Sequence, residues 1–255
     1  MPADLDVLFE DEYLLAIDKP AGLVVHPTHA HASGTLLNFL LWHARTWPAG
    51  QRPSIVGRLD RLTSGVVMVA KTAVMHAALQ RATSGDACAK EYLGVVYGRV
   101  TPASGRIALR LARDRDDRRK VAASANVGAA SITYYERAAR VAAPRAGLAL
   151  LRCRLETGRT HQIRAHLAAT GFPLVGDSVY TGPRWADIVD PELSAALRAF
   201  PRQALHAWRV SLAHPITRHR LAIEAPLPSD MSLLLGVSGL QAAWGEQTAQ
   251  VIVDG

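Results

Sequence analysis

Hydrophobic residues recur along the chain with two different spacings, which predict interspersed strands and helices. Alternating or continuous apolar runs bounded by turn residues predict strands in YLLAIDKPAGLVV (strand, turn at Lys19–Gly22, strand), VVMVAK, KEYLGVVYGRV, ASITYYERAARV, AGLALLRCRLETG, LHAWRVSLAHP and HRLAIEAPLP. Helical spacing predicts helices in GTLLNFLLWHA, in AVMHAALQRATS with Thr72 as N-cap and Gly85 as stop, and in HQIRAHLAAT with Thr160 as cap.

Residues 105–126, centred on RLARDRDDRRK, are charged and irregular. The pattern is typical of a solvated loop, and it also fits a lobe that contacts phosphates. Elsewhere strand–turn–strand pairs recur between helices, without an internal repeat or a flexible linker. We therefore predict an α+β fold with a mixed, mostly antiparallel β-sheet and flanking helices and loops, in one domain over residues 1–255.

Composition places the chain among globular proteins, with 49% apolar and 20% charged residues. No apolar run approaches the roughly 20 residues that span a bilayer, and the acidic N-terminus lacks the regions of a signal peptide. The two cysteines, Cys88 and Cys153, form no CxxC motif. We expect a cytoplasmic protein with no membrane attachment, in which Cys153 is a small core residue.

The net charge of +7 comes mainly from arginine, since only four of the 29 basic residues are lysines. The planar guanidinium can bind two phosphate oxygens at once, so this surplus favours a polyanionic partner such as nucleic acid. GC-rich codons would also raise the alanine and arginine content. Charge by itself therefore leaves both explanations open.

Asp60 stands between Arg58 and Arg61, just before the apolar run Gly65–Ala70. Nearby guanidinium groups favour the ionised carboxylate even where burial opposes it. An ionised, partly desolvated carboxylate can act as a nucleophile or a base. The same pattern suits a structural ion pair at the end of a strand, so this segment alone does not decide between the two.

Two further segments carry candidate chemistry. In ETGRTHQIRAHL, Arg164 lies on the first turn of the predicted helix, where it can reach a buried carboxylate from another segment or help to clamp a phosphate. In KEYLGVVYG, Tyr92 points to the strand face opposite Glu91. Such a tyrosine is typical of half-buried packing, and it is also the platform on which a displaced base stacks.

Five segments in order give the chain a specific resemblance. It resembles the RluA-type pseudouridine synthase family over about residues 5–230, through LLAIDKPAGLVVHP, VGRLDRLTSGVVMVAKT, KEYLGVVYG, LETGRTHQIRAHLAATGFPLVGDSVY and LHAWRVSLAHP. The resemblance implies an isomerase that breaks the C1′–N1 bond of uridine in RNA and rejoins the ribose to C5, with no cofactor and no metal. It implies Asp60 as the catalytic carboxylate, Arg58 as a residue that helps displace the base, Tyr92 as the stacking residue and Arg164 as the partner of Asp60.

The resemblance also implies a partner, and the chain departs from the family pattern at two places. We expect a monomer that binds structured ribosomal or transfer RNA, and that selects its target without the small N-terminal RNA-binding domain of some relatives. Attack on C1′, addition to the base and removal of the 2′ proton all need an ionised Asp60, so the chemical route stays open. Gly57 stands where the family usually has histidine, and NVGAAS lacks the usual Gly-Lys turn.

The sequence also allows three other interpretations. His26, His29 and His31 lack a neighbouring carboxylate or cysteine and do not match zinc spacing, so we expect a loop near the RNA rather than a metal site. A catalytically silent RNA-binding module on the same fold is one alternative, supported by Gly57. A glycosidic hydrolase is another, and it needs a second carboxylate such as Glu91 or Glu156.

Overall fold

The computed structural model describes residues 5–27, 32–84, 87–141, 147–241 and 251–253. Its strands are β1 (Asp6–Glu10), β2 (Leu14–Lys19), β3 (Ser54–Val56), β4 (Ser64–Ala70), β5 (Ala89–Tyr97), β6 (Ser104–Arg113), β7 (Val121–Ser124), β8 (Ala129–Val141), β9 (Leu148–Leu155), β10 (Leu205–Ala213), β11 (Arg220–Glu224) and β12 (Val251–Val253). Its α-helices are α1 (Leu36–His43), α2 (Ala73–Ser84), α3 (Gln162–Ala169), α4 (Pro191–Ala199) and α5 (Ser229–Val237). The chain forms two compact units: unit 1 comprises residues 1–90, 207–226 and 248–255, and unit 2 comprises residues 91–206 and 227–247.

Unit 1 is built on a sheet in the order β1-β2-β4-β10-β11-β12, with β3 also paired to β4. The pairs β1–β2, β2–β4, β3–β4, β10–β11 and β11–β12 are antiparallel. Every residue of β4 is buried, because α1 and α2 cover opposite faces. One face packs Leu14, Val66 and Met68 against Met75 and Leu79, and the other packs Leu15, Val67 and Val69 against Leu36 and Leu40.

Helix starts in unit 1 follow local capping chemistry. The N–H of Thr35, just before α1, donates to Oδ1 of Asn38 at 3.0 Å. The hydroxyl of Thr72 accepts the N–H of Met75 at 3.1 Å at the start of α2. The predicted N-cap of that helix is therefore confirmed, and its predicted stop at Gly85 lies outside the described residues.

Unit 2 is built on a sheet in the order β5-β9-β8-β6-β7, in which β6–β7, β6–β8 and β8–β9 are antiparallel. Helix α3 lies on one face and packs Ile163 and Leu167 against Ile107, Leu151 and Cys153. Cys153 is fully buried, and burial raises the pKa of its thiol to about 12. The prediction of Cys153 as a core residue is confirmed.

The predicted fold class, α+β with a mixed and mostly antiparallel sheet, is confirmed, but several local predictions were wrong. Residues 105–126 are not an irregular loop, because most of them form β6 and β7. Residues 23–25 form no strand, and Thr160 does not cap α3, whose N-cap position is occupied by His161 with a φ of 53°. The sequence patterns do not predict β1, β3, β12, α4 or α5. None of the helices in the described ranges is long and apolar enough to cross a bilayer.

Candidate active site

Asp60 lies in the 57–63 loop of unit 1, which leads from β3 into β4. Its backbone carbonyl accepts the N–H of Thr63 at 3.0 Å. The next carbonyl, that of Arg61, accepts the N–H of Gly22 at 2.8 Å and Nζ of Lys19 at 3.1 Å. Asp60 is half-buried and Arg58 is exposed. The loop is therefore anchored to Gly22 and Lys19 through the backbone carbonyl of Arg61, the residue that follows Asp60.

Lys19 anchors the 57–63 loop from inside the protein. It is fully buried at the end of β2, and its ammonium also donates to the carbonyls of Pro20 and Leu23 at 2.8 and 3.1 Å. A buried ammonium is costly unless such acceptors replace water. The sequence pattern predicts Lys19 only as part of a turn. The available signal is that a charged residue ends a run of apolar strand residues.

Asp18, the neighbour of Lys19, has a raised pKa. Burial and the negative charge of Asp6 raise the pKa of Asp18 to about 6. Lys19 and a hydrogen bond from the backbone of Gly65 oppose the rise without cancelling it.

Two glycines with positive φ angles, Gly57 and Gly65, lie at the start of the 57–63 loop and just after it in β4. Gly65 has a φ of 113°, and a Cβ at this position would lie 2.1 Å from the carbonyl oxygen of Ala207. Only glycine permits that close approach. Gly57 has a φ of 78° but nothing within 4 Å of the corresponding position. Gly57 therefore suits a left-handed backbone conformation, and the space beside it is open.

Arg164 is held in unit 2 by a carboxylate that sequence reasoning missed. Its Nε and Nη2 lie 2.7 and 2.9 Å from the two oxygens of Asp177, and the two side chains are 6% and 1% exposed. Asp177 also accepts the N–H groups of Val179 and Tyr180 at 3.0 and 3.2 Å. Such a bidentate pair fixes the plane of the guanidinium. The sequence shows an acidic residue in GDSVY, 13 residues beyond Arg164, but nothing in it indicates that the two side chains pair.

Tyr180 joins the start of α3 to strand β7. Its ring centroid lies 5.1 Å from Cζ of Arg164. Its hydroxyl accepts the N–H of Val121 at 2.7 Å and lies 3.1 Å from Nδ1 of His161. The segment around Arg164 is therefore braced by contacts from β7 as well as by Asp177.

The other polar residues of α3, Gln162 and His166, hold the helix against neighbouring segments. The amide of Gln162 donates to the carbonyl of Ile132 at 2.9 Å, and its oxygen accepts the hydroxyl of Thr157 at 2.8 Å. Nδ1 of His166 lies 2.9 Å from the hydroxyl of Thr133. Burial lowers the pKa of His166, although the backbone of Leu109 opposes this. The fully enclosed Gln162 and His166 therefore do not suit a phosphate clamp.

Tyr92 is half-buried in β5 and packs against the core under α3. Glu91 points to the other face, where its carboxylate lies 3.7 Å from Nε of Arg152. The four predicted site residues thus divide between the units, with Arg58 and Asp60 in unit 1 and Tyr92 and Arg164 in unit 2. Their joint role stays a prediction.

The histidines of HPTHAHASG and the other potential metal ligands give no metal site in the described residues. Within the described ranges, no group of three or more His, Cys, Asp and Glu side chains is arranged to hold a metal ion. His26 is exposed, and His29 and His31 lie outside those ranges.

Comparison with known proteins decides the family. The family profile described as RNA pseudouridylate synthase matches residues 13–169, more than half of the chain. The chain belongs to the RNA pseudouridylate synthase family. The matched range contains Asp60, Tyr92 and Arg164, and the predicted family and activity class, an RNA pseudouridine synthase, are confirmed.

Individual members of the RNA pseudouridylate synthase family agree closely with the chain. It is 42% identical over 235 residues to "Ribosomal large subunit pseudouridine synthase D" of Pseudomonas aeruginosa. The aligned residues are 92% of this chain and 72% of that protein. It is 43% identical over 233 residues to the protein of the same name from Nitrosomonas europaea. The aligned residues are 91% of this chain and 64% of that protein. The solved structure of "Human RNA Pseudouridylate Synthase Domain Containing 4" has a TM-score of 0.74 at 21% identity and covers 92% of this chain and 94% of its own, so the two share the fold.

Proposed function

We propose that the chain converts uridine to pseudouridine in large-subunit ribosomal RNA, with Asp60 as the catalytic carboxylate. The family match over residues 13–169 carries the proposal. The ribosomal substrate is supported by relatives that are 42% and 43% identical and are named for the large ribosomal subunit. Transfer RNA is the competing substrate class.

The reaction moves the glycosidic bond within one nucleotide. The bond from C1′ to N1 breaks, the uracil turns, and a bond from C1′ to C5 forms. C5 loses its proton and N1 gains one, so the product is an isomer of the substrate. Each of the three routes open to Asp60 needs its negative charge close to the sugar. The backbone anchors at Arg61 support this role, because they restrict where the neighbouring carboxylate can lie.

Arg164 is the proposed ion-pair partner of Asp60. Asp177 binds two of its three guanidinium nitrogens, Nε and Nη2, so its orientation is set before RNA arrives. Lysine has a single charged nitrogen and cannot reproduce such a fork. We therefore expect Arg164→Lys to lower kcat even though the positive charge is kept.

Tyr92 and Arg58 are the proposed contacts to the displaced nucleotide. Turning a base out of a helix costs a few kcal/mol, and stacking on an aromatic ring returns about 1–3 kcal/mol per base. Tyr92 is half-buried and so keeps part of its ring accessible. Arg58 is exposed and can occupy the space that the base leaves.

Tritium release from uracil C5 tests the proposal. The substrate is unmodified large-subunit ribosomal RNA, transcribed with tritium at C5 of uracil, and a transfer RNA transcript serves for comparison. We expect release from the ribosomal RNA, and we expect Asp60→Asn to reduce its rate by at least about 100-fold. Asp187→Asn is the matched control, because Asp187 is an exposed aspartate of the other unit.

Two outcomes would count against the proposal. If Asp60→Asn releases tritium at the parental rate while remaining folded, Asp60 is not the catalytic carboxylate. If the parent releases tritium only from transfer RNA, the activity class stands and the proposed substrate is wrong.

A further inference from the structure

The sheet of unit 2 has a second face, opposite the one that carries Tyr92 and α3. Successive side chains on a strand point to opposite faces, so Glu91 and its neighbours on adjacent strands share this second face. Arg106, Glu136 and Arg154 are exposed there, and Tyr134 is half-buried. These side chains help to line an open cavity of about 700 Å³.

A row of arginine, tyrosine and arginine crosses this face, and we call it the Arg–Tyr–Arg row. In the register of the sheet, Arg106 of β6 lies directly opposite Tyr134 of β8, and Tyr134 lies directly opposite Arg154 of β9. Cζ of Arg154 lies 4.5 Å from the centroid of the Tyr134 ring. Because neighbouring strands are about 4.8 Å apart, the two arginines start about 10 Å apart with the ring between them.

The acidic residues nearby are engaged with other groups. Glu136 lies 2.6 Å from Nη2 of Arg152, and Glu91 approaches the same guanidinium. Glu156 accepts the hydroxyl of Tyr134 at 2.8 Å, which fixes the ring. Within the described part of the chain, neither arginine of the Arg–Tyr–Arg row enters an ion pair with these acids. The row therefore keeps positive charge beside an aromatic ring.

We propose that the Arg–Tyr–Arg row is a second RNA-binding surface, which takes single-stranded nucleotides of the substrate outside the target segment. The proposal rests on the proposed function, in which the chain acts on long RNA. Single-stranded RNA is recognised by stacking bases on aromatic rings or guanidinium planes while arginines hold the phosphates. A guanidinium already stacked on a ring is pre-organised for such contacts. Two arginines flanking one ring match a phosphate, a base and the next phosphate.

Binding of a fluorescent oligoadenylate of about 12 nucleotides tests the proposal, because this length fits typical single-strand sites and the oligomer contains no uridine. We expect Tyr134→Ala to weaken binding by about 5- to 150-fold, as for loss of one stacked base. We expect Tyr134→Phe to retain most of the affinity because it keeps the ring. The double variant Arg106→Gln/Arg154→Gln should reduce the salt dependence of binding, lowering the slope by about 1.4 for two phosphate contacts on a single strand.

Arg198→Gln is the matched control, because Arg198 is also exposed and its Cζ lies 5.0 Å from the ring centroid of Trp185. It should bind oligoadenylate like the parent. Asp60→Asn should also bind like the parent, so a failure of the proposed catalytic role would not be mistaken for a failure of this surface. Tritium release from a short target stem-loop should be unchanged in all the row variants, which also verifies that they fold.

Four results would overturn the proposal. The first is a parent that does not bind oligoadenylate. The second is binding that is equal in the parent and in both Tyr134→Ala and the double arginine variant. The third is an equal loss in Arg198→Gln, which would indicate nonspecific attraction. If the row variants lose binding to polyglutamate and not to oligoadenylate, the surface serves an acidic protein instead of RNA.

Discussion

Asp18 gives the sharpest prediction of stability, because its charge is disfavoured in the folded protein. It lies in β2 directly opposite Asp6 of β1. Burial and that like charge raise its pKa to about 6, against an ordinary value of 3.8. Asparagine keeps an oxygen that can accept the hydrogen bond from the backbone of Gly65 and carries no charge. We therefore expect Asp18→Asn to stabilise the protein at neutral and alkaline pH.

The magnitude follows from the difference in pKa between the unfolded and folded states. Each pKa unit is worth about 1.4 kcal/mol, so a difference of about 2 units gives about 3 kcal/mol as an upper limit. Asp18 is only half-buried, and solvent screens part of the cost, so we expect about 1–2 kcal/mol. Since the folded state holds the proton more tightly, the stability of the parent falls as the pH rises from about 4 through about 6.

Urea unfolding of the parent and Asp18→Asn at pH 8 and at pH 4.5 measures this effect. The variant should unfold at a higher urea concentration at pH 8, with an unchanged m-value, and its advantage should shrink at pH 4.5. Asp6→Asn is a useful companion, because it removes only the opposing charge and should give a smaller gain. A variant that is less stable than the parent at pH 8, or whose gain is equal at both pH values, would refute the reasoning.

Four other substitutions probe the supports of the candidate site. Lys19→Met should lower both kcat and the urea midpoint, because each carbonyl left unsatisfied costs about 1–3 kcal/mol; tritium release and urea unfolding measure the two effects. Tyr180→Phe should speed amide hydrogen exchange in strand β7 and lower the free energy of unfolding by about 1 kcal/mol. Unchanged exchange would count against a stabilising role of the Tyr180 hydroxyl. Gly65→Ala should cost well over 3 kcal/mol or prevent folding, because its Cβ would lie 2.1 Å from a backbone oxygen. Gly57→Ala, also at positive φ but beside open space, should cost only about 1–2 kcal/mol, and equal urea midpoints for the two alanine variants would contradict this.

Strands and helices with strong apolar patterns could be predicted from the sequence. Strand β4 reads as a continuous apolar run because helices cover both of its faces. Strand β6 is not predicted by the pattern because three of its ten residues are arginines, which interrupt the apolar run. Its apolar residues do alternate, since Ile107 is buried and Leu109 packs on the same core, while Arg106 and Arg110 are exposed. Charged residues on the solvent-facing side of a strand can obscure the alternation of apolar residues on its buried side.

The supports of the candidate site could not be predicted, because they are tertiary contacts. The sequence marks Asp60 and Arg164 through their motifs, and it contains no signal that pairs Asp177 with Arg164 over 13 residues of chain. It likewise does not indicate that Lys19 reaches a carbonyl 42 residues away. A strand-end lysine is usually exposed, so only the packed structure distinguishes a buried anchor from a turn residue.

The 57–63 loop and the Arg164 side chain are each held by contacts inside their own units. The 57–63 loop, which holds Asp60, is tied to Lys19 and Gly22, and Arg164 is tied to Asp177. None of these three anchors needs substrate for its formation, so the backbone beside Asp60 and the guanidinium of Arg164 are positioned before RNA binds. Pre-organised charges lower the barrier without reorganisation during the reaction. Loss of an anchor should therefore reduce kcat more than it raises KM, whereas loss of a residue that contacts the nucleotide, such as Tyr92, should affect both.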